Sequence, residues 1–101
     1  MIYYDLFSRN NRPHREDGPA YIEYDMTGTL YFEQYYIDGK EHRAGGPAYI
    51  WYYDGDKINV EKYIIAGLVH REDGPAVIEY GVDGDIVSAT YYRAGVRVNE
   101  L

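Results

Sequence analysis

The chain has 101 residues, enough for one domain with a modest core. Seventeen acids against 10 Lys and Arg give a formal charge of −7, which disfavours a nucleic-acid backbone or an anionic membrane surface as the partner. There is no cysteine, so no disulfide framework supports the fold, and a reducing, cytoplasmic compartment is expected.

From the N-terminus, Met1-Ile2-Tyr3-Tyr4-Asp5 has neither the basic start nor the apolar run of a secretory signal. No later stretch approaches the roughly 20 apolar residues of a membrane helix, so no membrane contact is expected. Ile2–Phe7 reads as a strand inside a half-unit, 1–13. The segment His14-Arg15-Glu16-Asp17-Gly18-Pro19-Ala20 then returns intact at 70–76, and as His42-Arg43-Ala44-Gly45-Gly46-Pro47-Ala48 between them. His14, His42 and His70 are spaced by 28 residues without insertion, which defines repeats 14–41, 42–69 and 70–97 and a degenerate cap, 98–101.

Each Gly-Pro-Ala leads into a β-branched and aromatic run: Tyr21–Tyr24, Tyr49–Tyr52 and Val77–Tyr80. Turns follow at Thr27-Gly28, Asp54-Gly55 and Asp83-Gly84. Longer runs then begin at Leu30, Ile58 and Ile86 and close on Asp38-Gly39, Ala66-Gly67 and Ala94-Gly95. In these runs Phe7, Tyr35, Tyr63 and Tyr91 fall five residues after the apolar start, so the alternation changes phase. A β-bulge in the middle of each long strand is the expected cause. No segment holds a 3.6-residue apolar period. The predicted fold is all-β: a single domain forming one twisted, curved antiparallel meander sheet of about seven strands, built from three hairpin repeats. Its outer strands leave unpaired edges, which is compatible with a homodimer.

The unit Tyr-x-x-x-Gly-x-x-His-Arg-x-x-Gly-Pro-Ala, with its Asp-Gly hairpins and recurring Tyr and Gly, resembles the variant MORN-like repeats of bacterial and phage proteins. The resemblance spans nearly the whole chain and is most specific at residues 14–20 and 70–76. It implies an extended hairpin sheet, usually with a scaffold or binding role, and does not by itself imply an enzyme. The unit is longer than the better-known form of that repeat and carries Gly-Pro-Ala, so lipid binding is not carried over.

A catalytic group is normally unique within its site, whereas His-Arg recurs with the period of the fold. A structural role is therefore expected. Acids stand nine residues before each His, at Asp5, Glu33 and Glu61, and predict a ladder with Arg15, Arg43 and Arg71, with His capping the turn backbone. Asp-Gly-Asp at 54–56 and 83–85 is turn chemistry, with too few oxygens for calcium, and histidines 28 residues apart without Cys offer no zinc spacing. No phosphate loop or nucleophile elbow occurs, so no catalytic residue, metal or cofactor is assigned.

The informative differences between the repeats lie in the second one. On the first strand, Ala20, Ile22 and Tyr24 and their equivalents hardly vary and mark the packing face. The opposite face carries Tyr21, Glu23 and Asp25 in the first repeat and Val77, Glu79 and Gly81 in the third. In the second it carries Tyr49, Trp51 and Tyr53, and there the chain also has Ala44-Gly45 in place of Glu-Asp. The only Trp thus stands in the central repeat between aromatic neighbours, beside the less neutralised pair His42 and Arg43. Binding is expected through Tyr49, Trp51, Tyr53, His42 and Arg43, with Glu23, Asp25 and Glu79 facing the basic surface of a protein partner. A small phage or bacterial protein of this kind fits an inhibitory, anti-defence role in the host cytoplasm. The alternatives are a sponge for a small nucleotide, stacked on Tyr or Trp with its phosphate on His42 and Arg43, and a structural module that assembles through its edge strands.

Overall fold

Short runs in which apolar and polar residues alternate, punctuated by glycine turns, can bury only one face each and so pair into an open antiparallel sheet. A computed structural model shows this arrangement over residues 3–53 and 56–99. Ile2, the Asp54-Gly55 turn and residues 100–101 of the expected cap lie outside the described residues.

The half-unit gives β1 (Tyr3–Leu6), β2 (Ser8–Arg9) and β3 (Arg12–Pro13). The first repeat gives β4 (Tyr21–Tyr24), β5 (Leu30–Gln34), β6 (Tyr36–Ile37) and β7 (Lys40–Glu41). The second gives β8 (Tyr49–Tyr52), β9 (Ile58–Lys62), β10 (Ile64–Ile65) and β11 (Leu68–Val69). The third gives β12 (Val77–Tyr80), β13 (Ile86–Arg93) and β14 (Val96–Val98). The main sheet has eight strands in the order β1-β4-β5-β8-β9-β12-β13-β14, and β2-β3, β6-β7 and β10-β11 form separate two-stranded ribbons. The sheet is all antiparallel, and the described residues contain no helix.

Two features differ from the sequence-based expectation. The sheet has an eighth strand, β14, and each long strand before the last stops one residue short of Phe7, Tyr35 or Tyr63. The chain leaves the sheet at those residues and forms a ribbon around a two-residue turn. Asn10-Asn11, Asp38-Gly39, Ala66-Gly67 and Ala94-Gly95 all have positive φ at both positions. That is the hairpin turn whose twist matches strongly twisted two-stranded ribbons, so each ribbon rotates away from the flatter sheet. Ala66 and Ala94 hold φ near 50°, a conformation that costs an ordinary residue about 1–2 kcal/mol. The expected bulges are present in the long strands of the three repeats and change the phase of the alternation. Tyr31 is skipped between the pairs Glu23–Phe32 and Tyr24–Leu30, as are Asn59 and Val87 in the later repeats.

The His-Arg segments join each ribbon to the next. His14 Nδ1 accepts the Asp38 N–H at 2.9 Å, His42 Nδ1 that of Ala66 at 2.9 Å, and His70 Nδ1 that of Ala94 at 2.8 Å. This is the expected cap on the turn backbone, and the turn is that of the next ribbon, within the same repeat. Backbone bonds run alongside, from the Arg15, Arg43 and Arg71 amides to the Tyr36, Ile64 and Tyr92 carbonyls, and from the Gly39, Gly67 and Gly95 amides to the Pro13, Glu41 and Val69 carbonyls.

The arginines do not pair with Asp5, Glu33 and Glu61 as expected. Arg15, Arg43 and Arg71 lie over the rings of Phe7, Tyr35 and Tyr63, with the guanidinium carbon 4.0, 4.1 and 4.0 Å from the ring centroids. Each Nη1 donates to the proline carbonyl four residues on, at 3.1–3.2 Å. A glycine closes the other side: a Cβ on Gly18, Gly46 or Gly74 would lie 3.0–3.1 Å from the guanidinium carbon. The displaced acids find other donors, because Tyr24, Tyr52 and Tyr80 donate their hydroxyls to Asp5, Glu33 and Glu61 at 3.1, 2.6 and 2.6 Å. Beside these stacks the core is small: Ala20, Ala48 and Ala76 are 0% exposed, and Ile50, Ile64, Ile78 and His14 are also buried.

The two adjacent glycines of the second repeat separate packing from backbone effects. Gly46→Ala, which drives a methyl against Arg43, is expected to cost about 1 kcal/mol through loss of the stacked, hydrogen-bonded geometry. Gly45→Ala meets nothing within 4 Å and is expected to be neutral or to stabilise by about 0.5 kcal/mol. Chemical denaturation of both variants checks this, and equal losses would contradict it.

Candidate binding face

Strand alternation and the cross-strand register place two rows of side chains on the face opposite Ile22, Ile50 and Ile78. One row runs Tyr4, Glu23, Phe32, Trp51, Val60, Glu79, Ser88 across β1 to β13. The other runs Leu6, Tyr21, Gln34, Tyr49, Lys62, Val77, Thr90. β8, which carries Tyr49 and Trp51, has three strands of these rows on either side.

The aromatic side chains form one connected surface. Ring centroids lie 5.9 Å apart for Tyr4–Tyr21, 6.0 Å for Tyr21–Phe32, 5.0 Å for Phe32–Tyr49 and 5.9 Å for Phe32–Trp51. The contacts are tilted or edge-on, the arrangements the ring quadrupole favours. Lys62 Nζ sits 4.6 Å from the Tyr49 ring centroid and gives the patch one cation. Trp51 nevertheless keeps 44% of its surface exposed. It is an anchored ring with a free side.

The eight residues singled out in the sequence fall in three places. Tyr49, Trp51, Glu23 and Glu79 share the aromatic face, with Glu23 and Glu79 in the row of Trp51 and each two strands away, about 10 Å. Asp25 and Tyr53 belong to the hairpin ends. Asp25 Oδ1 accepts from the Thr27 and Thr29 amides and the Thr27 hydroxyl at 2.8, 3.0 and 2.6 Å, and these bonds hold its carboxyl below the usual range. The Tyr53 hydroxyl donates to the Tyr80 carbonyl at 3.0 Å and ties one hairpin to the next. His42 and Arg43 lie at the ribbon end, where Arg43 covers Tyr35. Glu23 is also held by its neighbours, accepting the Tyr21 hydroxyl at 2.8 Å and that of Tyr31 on the adjacent bulge at 2.5 Å. Glu79 is exposed.

The sequence reading missed Phe32 and Lys62, which complete the patch. Their equivalents in the third repeat do not line up as an aromatic and a cation, so the signal was a departure on the second strand as well as on the first. Reading it needed the bulge at Tyr31 and Asn59, which sets which residues of β5 and β9 face Trp51.

On the ribbon side, two open grooves flank the second His-Arg loop. One, of about 410 Å³, runs between Arg43-Ala44-Gly45 and His70-Arg71-Glu72-Asp73. The other, of about 430 Å³, lies between Arg15-Glu16-Asp17 and His42-Arg43-Ala44. Among the described residues, no three His, Asp or Glu side chains gather as a metal ion would require, and no helix is long and apolar enough to cross a membrane. No known protein family, curated protein or solved structure matches the chain.

The tyrosine–carboxylate pairs make stability sensitive to alkali. Burial first, then the bond to Glu23 or Glu61, pushes Tyr21 and Tyr80 up to about 12, and the same causes with Glu33 raise Tyr52. Because the folded values exceed the unfolded value of about 10, the neutral phenols contribute fully below that pH. The contribution is lost as pH rises towards about 12. Urea midpoints are therefore expected to fall steadily from about pH 10 upward, with phenolate absorbance rising together with unfolding. A flat midpoint over that window would contradict the assignment.

Proposed function

We propose that the protein is a non-enzymatic binding module that occupies a site on a basic protein partner through the face centred on Trp51. The observation that carries this reading is the position of Trp51. It is the only Trp, it is 44% exposed, it is fixed against Phe32, and it stands in one row between Glu23 and Glu79. Hot spots favour such an arrangement: a rigid aromatic anchor near the middle of a surface, ringed by polar groups that exclude water. A free monomer gains little from leaving connected aromatic surface in water. Tyr49, with Lys62 across its ring, widens the anchor, while Glu79 and the net charge of −7 steer a basic surface towards it.

The mechanism is steric and electrostatic blocking of the partner's own site. Inhibition of a host defence protein by a phage or bacterial member of the MORN-like repeats is the biological setting that this chemistry and the repeat pattern suit best. The protein would then work in the cytoplasm that holds its target.

Passing host lysate over immobilised wild-type and Trp51→Ala protein tests the reading, followed by kinetics with the purified partner. Trp51→Ala is expected to weaken binding by about 2 kcal/mol or more, near thirtyfold, while costing the fold only about 1 kcal/mol. Glu79→Lys is expected to slow association and to flatten its salt dependence, with dissociation little changed. Binding that survives Trp51→Ala in a folded variant would sink the proposal.

A further inference from the structure

We propose that the second His-Arg loop is a binding site for an acidic peptide segment that presents two neighbouring carboxylates. The other two repeats serve as its template. In the first, Glu16 lies 3.2 Å from His14 Nε2 and Asp17 accepts from Arg15 Nε at 3.1 Å. In the third, Glu72 lies 2.6 Å from His70 Nε2 and Asp73 accepts from Arg71 Nε at 3.3 Å. All four carboxylates approach from the solvent side, being 73–87% exposed. Ala44 and Gly45 stand at these two positions in the second repeat and supply no carboxylate.

The two donors there are already aimed. His42 Nδ1 accepts the Ala66 N–H, so the neutral ring carries its proton on Nε2 and donates it outward. Arg43 has the same ring beneath it, the same glycine against it and the same Nη1 bond to a proline carbonyl as its sisters. Its Nε–H therefore points where Asp17 and Asp73 sit in the other loops. The orientation of both groups is already set by contacts within the fold, so little ordering cost falls on binding.

On the side of His42 towards Arg12 and Lys40 the charge favours the same ligand. Arg12, Lys40 and His42 border a third groove of about 330 Å³ with Asp38, and the Asp38 carboxylate is held by Arg9 at 2.8 Å. The acids of the flanking loops are engaged with their own His and Arg. Each sister loop places a separate carboxylate on each nitrogen, which favours a peptide carrying two acidic side chains over a single tetrahedral anion. The site lies at the ribbon bend and not in the rows around Trp51, so it stands or falls independently of that face.

The whole protein can be titrated with a blocked Glu-Asp dipeptide at low ionic strength while the Cε1–H resonances of the three histidines are followed. Two exposed charge-assisted contacts bind at about millimolar strength, which sets the range to cover. The His42 resonance is expected to move saturably while those of His14 and His70 stay fixed. Ala44→Glu/Gly45→Asp, which gives the loop the acids of its sisters, is expected to weaken dipeptide binding at least about tenfold. Equal movement of all three histidines, a stationary His42, or unchanged binding in that variant would overturn the proposal. So would tighter binding of inorganic phosphate than of the dipeptide.

Discussion

In each repeat the chain must leave a ribbon, cross the bend and re-enter the main sheet, and a guanidinium clamped between an aromatic ring and a glycine holds that crossing. The clamp explains several residues of the motif together. The ring comes from the end of the preceding long strand, the glycine must lack a Cβ, and the proline carbonyl receives the guanidinium hydrogen bond. The alanine that follows is fully buried where the crossing meets the sheet. His then reaches forward to a turn amide 24 residues on, so the motif that follows one ribbon also fixes the next ribbon. A single layer of side chains with few buried aliphatic residues could not hold such a sheet through apolar area alone. Repeated polar clamps share that task with it.

Much of this fold was legible in the sequence. The 28-residue spacing, the glycine turns and the strands Tyr21–Tyr24, Tyr49–Tyr52 and Val77–Tyr80 follow from alternation and turn chemistry, and the structure has those strands with the same ends. The invariant face of Ala20, Ile22 and Tyr24 is the packing side for the reason its invariance suggests. The ribbons were not legible, because a strand of two residues has no period to read. The partner of Arg15 was ambiguous for a related reason. Phe7 and Asp5 belong to the same run in sequence, eight and ten residues before it, and either could be reached. The bend after Leu6 chooses the ring, and the acid is then left to the Tyr24 hydroxyl of the neighbouring strand.

The candidate face shows the same division. Trp51 stands out in sequence as a departure from the other repeats, but its neighbours depend on a register that the bulges at Tyr31 and Asn59 set. Composition also overstated the rim, since Asp25 is spent on its own turn and Glu23 on two phenols. The second repeat differs from its sisters twice, once on the sheet face and once in the His-Arg loop, while its clamp is unaltered. A unit that keeps the structural contacts and changes the exposed ones has the form expected of a recognition element on a regular scaffold.

The histidine tautomers test the central claim most directly, because the link between successive ribbons requires Nδ1 to accept a backbone proton. Long-range proton–nitrogen correlation spectra at neutral to mildly alkaline pH should show Nε2 protonated and Nδ1 bare at His14, His42 and His70 alike. A proton on Nδ1 at any of the three would contradict the account of how one ribbon holds the next.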